Sequence, residues 1–157
     1  MTVNAAWDFK EGTSASKNST ILGYGSTATK PTEAITITSD SGSGAKLVLI
    51  IQNNCAVKYN KGLQWGTGSK ETDVMTITAD ADCTVSVAGK GASSGDTSKN
   101  SYWSKAGKPN SFSVNGTSVY ARKADNETSE QTWTVNLKKG ENTIAVSGML
   151  FTSFTCK

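Results

Sequence analysis

Apolar and polar residues alternate with a period of two over several short stretches, which is the pattern of half-buried strands. In EAITITSD, Ile35 and Ile37 share one face and Thr36 and Thr38 the other. DVMTITAD and CTVSVAG repeat the rhythm, while KLVLIIQ is an uninterrupted apolar run that suits a strand covered on both sides. SFSVNGTSVYAR places Asn115-Gly116 between two alternating halves, which predicts a hairpin. QTWTVNLKKGENTIAVSG predicts another, with Trp133, Val135 and Leu137 on one face and Lys139 to Asn142 as the turn. MLFTSFTCK closes the chain as a final strand. No stretch carries helical spacing.

About nine or ten short strands with turns between them predict an all-β domain, a two-sheet antiparallel β-sandwich. At 157 residues the chain has the length of one domain, and no linker or repeat divides residues 1–157. Two long turn-rich stretches, residues 10–32 and 89–111, interrupt the strand rhythm. Long irregular loops on a compact sandwich tend to carry function.

Composition narrows the chemistry. Histidine is absent, which removes the commonest general base and the commonest transition-metal ligand. Net charge is +3 and Arg122 is the only arginine. Nucleic-acid readers rely on arginine forks, so this balance argues against that class. No apolar run is long enough to span a bilayer. MTVNAAWDF lacks the apolar core of a secretory signal, so the chain reads as a module of a larger secreted protein whose targeting signal lies elsewhere. Cys55, Cys83 and Cys156 lack the paired spacing of a zinc site, and either one disulfide or three buried thiols fits them. Asp80 and Asp82 in DADC offer oxygens to a structural Ca²⁺ without the full ligand pattern of a calcium loop, and nothing in the sequence calls for another cofactor. No pair of carboxylates is singled out for glycoside hydrolysis.

The candidate binding residues are aromatic. KNSYWSKAGKPNS sets Tyr102 and Trp103 among Lys99, Lys105, Lys108, Asn100 and Asn110 with no apolar neighbours. A sugar ring packs its C–H face on an aromatic ring while hydroxyls at its edge take hydrogen bonds, and this stretch supplies both parts. The opposing reading is that Trp103 folds inward as a lid over the core. Trp65 in KGLQWGTGSKE, bracketed by glycines, fits a ligand surface or the core equally, with Tyr59 just upstream able to extend such a surface. Arg122 could grip a carboxylate or a pair of hydroxyls, or pair with Asp125 or Glu127 at the surface.

Three segments carry a resemblance. WDF near the start, CTVSVAGKGASSGD, and TWTVNLKKGENTIAVSGMLFTSF near the end resemble the noncatalytic β-sandwich domains attached to bacterial pectate lyases and other plant-cell-wall enzymes. The resemblance implies a jelly-roll-like fold and a carbohydrate-binding role beside a catalytic domain, with plant cell-wall polysaccharide as partner. It leaves open whether lysines hold pectin or aromatic rings hold a neutral β-glycan. A surface adhesin or structural sandwich domain with a protein partner is the alternative from a different class.

Overall fold

A computed structural model describes residues 5–8, 35–38, 47–52, 55, 57–59, 62–65, 70–92, 109–124 and 127–156. Its strands are β1 (Ala5–Asp8), β2 (Ile35–Thr38), β3 (Val48–Ile51), β4 (Val57–Tyr59), β5 (Leu63–Trp65) and β6 (Thr72–Ala79), followed by β7 (Cys83–Gly91), β8 (Ser111–Val114), β9 (Thr117–Ala121), β10 (Gln131–Leu137), β11 (Gly140–Ser147) and β12 (Met149–Cys156). They form two six-stranded antiparallel sheets packed as a jelly-roll-like sandwich. Sheet A runs β10-β7-β12-β5-β4, with β1 also on β12, and sheet B runs β2-β3-β6-β11-β8-β9.

Alternation decides which side chains meet between the sheets. On β7, Val85 and Val87 are buried while Thr84 is exposed, and on β10 Val135 and Leu137 are buried while Thr132, Thr134 and Asn136 face water. β3 alternates too: Leu49 and Ile51 are fully buried, but Val48 and Ile50 are only half-buried, so its unbroken apolar run does not mean equal cover on both faces. β8 departs the other way. Ser111 and Ser113 are buried although they share the face opposite Phe112, because both hydroxyls donate to the Glu71 carboxylate.

The Asn115-Gly116 hairpin forms between β8 and β9 as predicted. Both turn residues have positive φ, 51° and 80°, the left-handed pair that matches the twist of adjoining strands. The second predicted hairpin does not form. Among the described residues β10 pairs with β7 alone, in sheet A, whereas β11 pairs with β6 and β8 in sheet B, so Lys138 and Lys139 carry the chain from one sheet to the other. Residues 80–82 make the reverse crossing between β6 and β7, and the two crossings are tied where the Lys139 N–H donates to Asp82 Oδ1 at 2.8 Å. Asn142, fully buried, braces the same corner: its amide donates to the carbonyls of Lys138, Gly140 and Ile77, and its oxygen accepts from Lys138 N–H and Asn115 Nδ2.

The core centres on Phe151. Its ring meets Trp65 (5.8 Å between centroids) and Phe154 (5.4 Å) within sheet A, and Phe112 of sheet B at 5.1 Å, each edge to face. The backbone beside it has no spare room. A Cβ on Gly89 would lie 2.4 Å from the Leu150 carbonyl oxygen, and one on Gly62 would lie 2.6 Å from that of Phe151. Phe151→Ala removes the ring that joins the sheets and should cost about 3–5 kcal/mol in a urea melt. Gly89→Ala should cost about 1–3 kcal/mol through the clash with backbone. A Phe151→Ala loss below that of Leu150→Ala, at the rim of the core, would contradict this ranking.

Candidate functional site

Tyr102, Trp103, Lys105 and Lys108 lie outside the described residues; what the structure does show is how the chain on either side of them is held. Ala92 N–H donates to the Gly148 carbonyl at 2.7 Å, and Asn110 Nδ2 donates to the same oxygen at 2.8 Å. One carbonyl on the β11–β12 turn therefore receives both stems of the segment. Asn110 is fully buried, and Gly91 leaves the space it fills, since a Cβ there would stand 2.6 Å from Asn110 Oδ1.

Arg122 completes this lock, which changes its assigned role. The side chain is only 6% exposed. Its Nη1 donates to Asn110 Oδ1 at 2.9 Å, its Nε to the Ala124 carbonyl at 3.0 Å, and its backbone N–H to the Asn110 carbonyl at 2.9 Å. A guanidinium so buried and engaged holds Asn110 in place and does not reach for a ligand carboxylate. Sequence spacing could not show this, because the partner that buries Arg122 comes from before the β8–β9 hairpin.

Trp65 belongs to the core, not to a ligand surface. It is 2% exposed and packs on Phe151, and its indole N–H is buried with no partner among the described residues. The alternation of Leu63 and Trp65 about Gln64 is the sequence signal for this placement; the flanking glycines masked it. Tyr59 lies on β4 with its backbone opposite Leu63. Trp133 is half-buried and packs on Phe112 at 5.2 Å and on Tyr120 at 4.8 Å.

The Tyr120–Trp133 contact bridges the outer strands of the two sheets, β9 and β10. Beyond it lies an open groove of about 480 Å³, lined by Val114, Thr117, Val119, Thr134, Val135 and Asn136 with Asn115, Ser118 and Lys138 at its margins. Its walls carry hydroxyls and amides over a valine floor.

Burial, then the Asp73 charge, pushes the Cys55 thiol up, and its Sγ–H donates to the Asp73 carbonyl. Cys55 and Cys83 are both free thiols, so neither takes part in a disulfide. Among the described residues no three His, Cys, Asp or Glu side chains cluster to hold a metal ion. Tyr120 is pushed up to about 12, first by burial and then by its hydrogen bond to Glu127 at 2.9 Å and that carboxylate's charge, against smaller opposing effects of Gln131 and Arg122.

No protein-family model matches the chain, and no curated protein matches it. Among solved structures, the chain over its whole length is similar to part of a Podospora anserina GH26-CBM35 β-(1,4)-mannanase, at 14% identity and TM-score 0.36, spanning 28% of that chain. A family 35 carbohydrate-binding module from Clostridium thermocellum is similar at 17% identity and TM-score 0.29, over 79% of this chain and 87% of that one. An exo-β-1,3-galactanase from Phanerochaete chrysosporium is similar at 13% identity and TM-score 0.30, over 99% of this chain and 29% of that one.

The raised phenol has a consequence at high pH. Unfolded tyrosine ionises near its ordinary value of 10.0, whereas folded Tyr120 holds its proton to about 12. Its stabilising contribution is therefore complete below pH 10 and is lost as pH rises through about 12. The difference in melting temperature between wild type and Tyr120→Phe should narrow across this window. A constant difference would contradict the assignment.

Proposed function

We propose that the chain is a noncatalytic carbohydrate-binding module, with Trp103 and Tyr102 as the stacking platform and Lys105, Lys108 and Tyr59 as flanking contacts. It would hold a larger secreted enzyme on plant cell-wall polysaccharide. The observation that carries the reading is the double anchor of the segment bearing Tyr102 and Trp103. Both stems bond one carbonyl, and a buried Arg122–Asn110 pair holds the second stem. A binding loop gains affinity when its ends are already fixed, because less freedom is lost on association. Nothing within the sequence of that segment supplies an apolar face to bury two large rings, and its lysines and asparagines suit the rim of a sugar site.

Such a module works by tethering. Each contact is weak, but attachment raises the concentration of polysaccharide around the catalytic domain. A neutral glycan held by stacking responds little to salt. Pectin, held through lysine charge, loses affinity as ionic strength rises.

Affinity gel electrophoresis against homogalacturonan, xylan, xyloglucan, β-glucan and mannan tests the reading. Wild type should be retarded by at least one glycan, and Trp103→Ala should migrate freely while keeping its melting temperature. If pectin is the ligand, Lys105→Ala/Lys108→Ala should also lose retardation. No retardation by any of the five glycans overturns the reading and leaves the adhesin-like role.

A further inference from the structure

Asn115-Gly116 is the one place in the chain where a glycine follows an asparagine. That dipeptide is chemically labile. The glycine nitrogen, once a base has taken its proton, can attack Cγ of the asparagine, and glycine has no side chain to block the approach. Attack forms an N–Cγ bond and breaks Cγ–Nδ2, with the amide leaving as ammonia. Water then opens the succinimide to aspartate or isoaspartate. Both turn residues are exposed, and nothing stands within 4 Å of where a Cβ on Gly116 would lie, so water and hydroxide reach them.

The fold holds the asparagine side chain against this reaction. Asn115 N–H donates to the Thr143 carbonyl at 2.9 Å, and Thr143 N–H donates back to Asn115 Oδ1 at 2.9 Å. Asn115 Nδ2, the group that must leave, donates to Asn142 Oδ1 at 2.9 Å. Ring closure makes Cγ tetrahedral, which carries both amide atoms out of the plane in which these bonds form. The receiving oxygen is itself fixed. Asn142 is fully buried and cannot turn its amide round without taking Nδ2 from the carbonyls of Ile77, Lys138 and Gly140.

We propose that Asn115 is a spontaneous deamidation site that folding closes, and that its product undoes the corner between the sheets. Aspartate at this position sets a carboxylate oxygen against Asn142 Oδ1, two acceptors with no proton between them, and Asn142 has no donor to offer instead. Isoaspartate also adds a methylene to the backbone of a two-residue turn whose dihedrals set the pairing of β8 with β9. This inference rests on the turn and the corner alone and does not depend on the glycan reading.

Peptide mapping by mass spectrometry at mildly alkaline pH, on folded protein and on protein in urea, tests the closed site. The unfolded chain should convert at Asn115 before any other asparagine, and the folded chain should convert there at least about tenfold more slowly. Melting temperatures test the product. Asn115→Asp should melt below Asn115→Ala at neutral pH, and the gap should close on acidification, when the carboxyl regains a proton to donate to Asn142 Oδ1. Equal rates in folded and unfolded protein overturn the proposal, as does an unfolded chain in which another asparagine converts first. So does an Asn115→Asp variant that melts at or above Asn115→Ala at neutral pH, or a gap that acid leaves unchanged.

Discussion

Phe151 touches Trp65 and Phe154 within its own sheet and Phe112 across the interface, and this edge-to-face cluster makes two twisted sheets one body. The arrangement constrains the chain well beyond the rings. β12 must pass close to β7 and to the residues leading into β5, so Gly89 and Gly62 stand where any side chain would strike its carbonyls. β12 also bulges immediately afterwards, between Phe151 and Ser153, and still returns Phe154 to the core side. Large aromatic side chains dominate core energetics because each removes much apolar surface from water.

Buried amides hold the ends of the sandwich where Cys55 and Cys83 form no bridge. Asn142 satisfies the turn that carries the chain from sheet A to sheet B, and Asn110 joins the β11–β12 turn to the stem before β8. An asparagine suits both posts, since one side chain offers two donors and an acceptor to backbone groups that would otherwise be buried unpaired. Arg122 adds a charge-assisted bond to the second post, stronger than a neutral pair. The polar network thus fixes Asn110 and the crossing between the sheets in place.

Much of this fold is legible in the sequence because alternation and turn chemistry are local. The strands at 83–91 and 131–137 follow period two, and Asn115-Gly116 makes the turn its dihedral preferences demand, whereas the strand at 72–79, central in its sheet, buries Val74 to Ile77 in succession. Partner choice is not local. Lys-Gly-Glu-Asn serves a hairpin and an inter-sheet crossing alike, and only the pairing of β10 with β7 separates the two. The same limit hid Arg122, whose burial depends on Asn110, and Glu71, whose partners Ser111 and Ser113 lie some forty residues away. Trp65 was ambiguous for the opposite reason: its local signals conflicted, and the strand period outweighed the glycines. Of the candidate binding residues, those in the core or its locks are now assigned, while the Tyr102–Trp103 pair rests on its own chemistry and its anchored stems.

The central proposal is that the segment between Ala92 and Asn110 binds a glycan. Backbone amide NMR during titration with a soluble oligosaccharide tests it most directly, since it reports on the whole chain at once. The account predicts saturable shifts in the amides of Tyr102, Trp103 and their neighbours, smaller ones at Ala92, Asn110 and Gly148, and none at Ile77 or Phe151. Shifts confined to another surface, with Tyr102 and Trp103 silent, would contradict it.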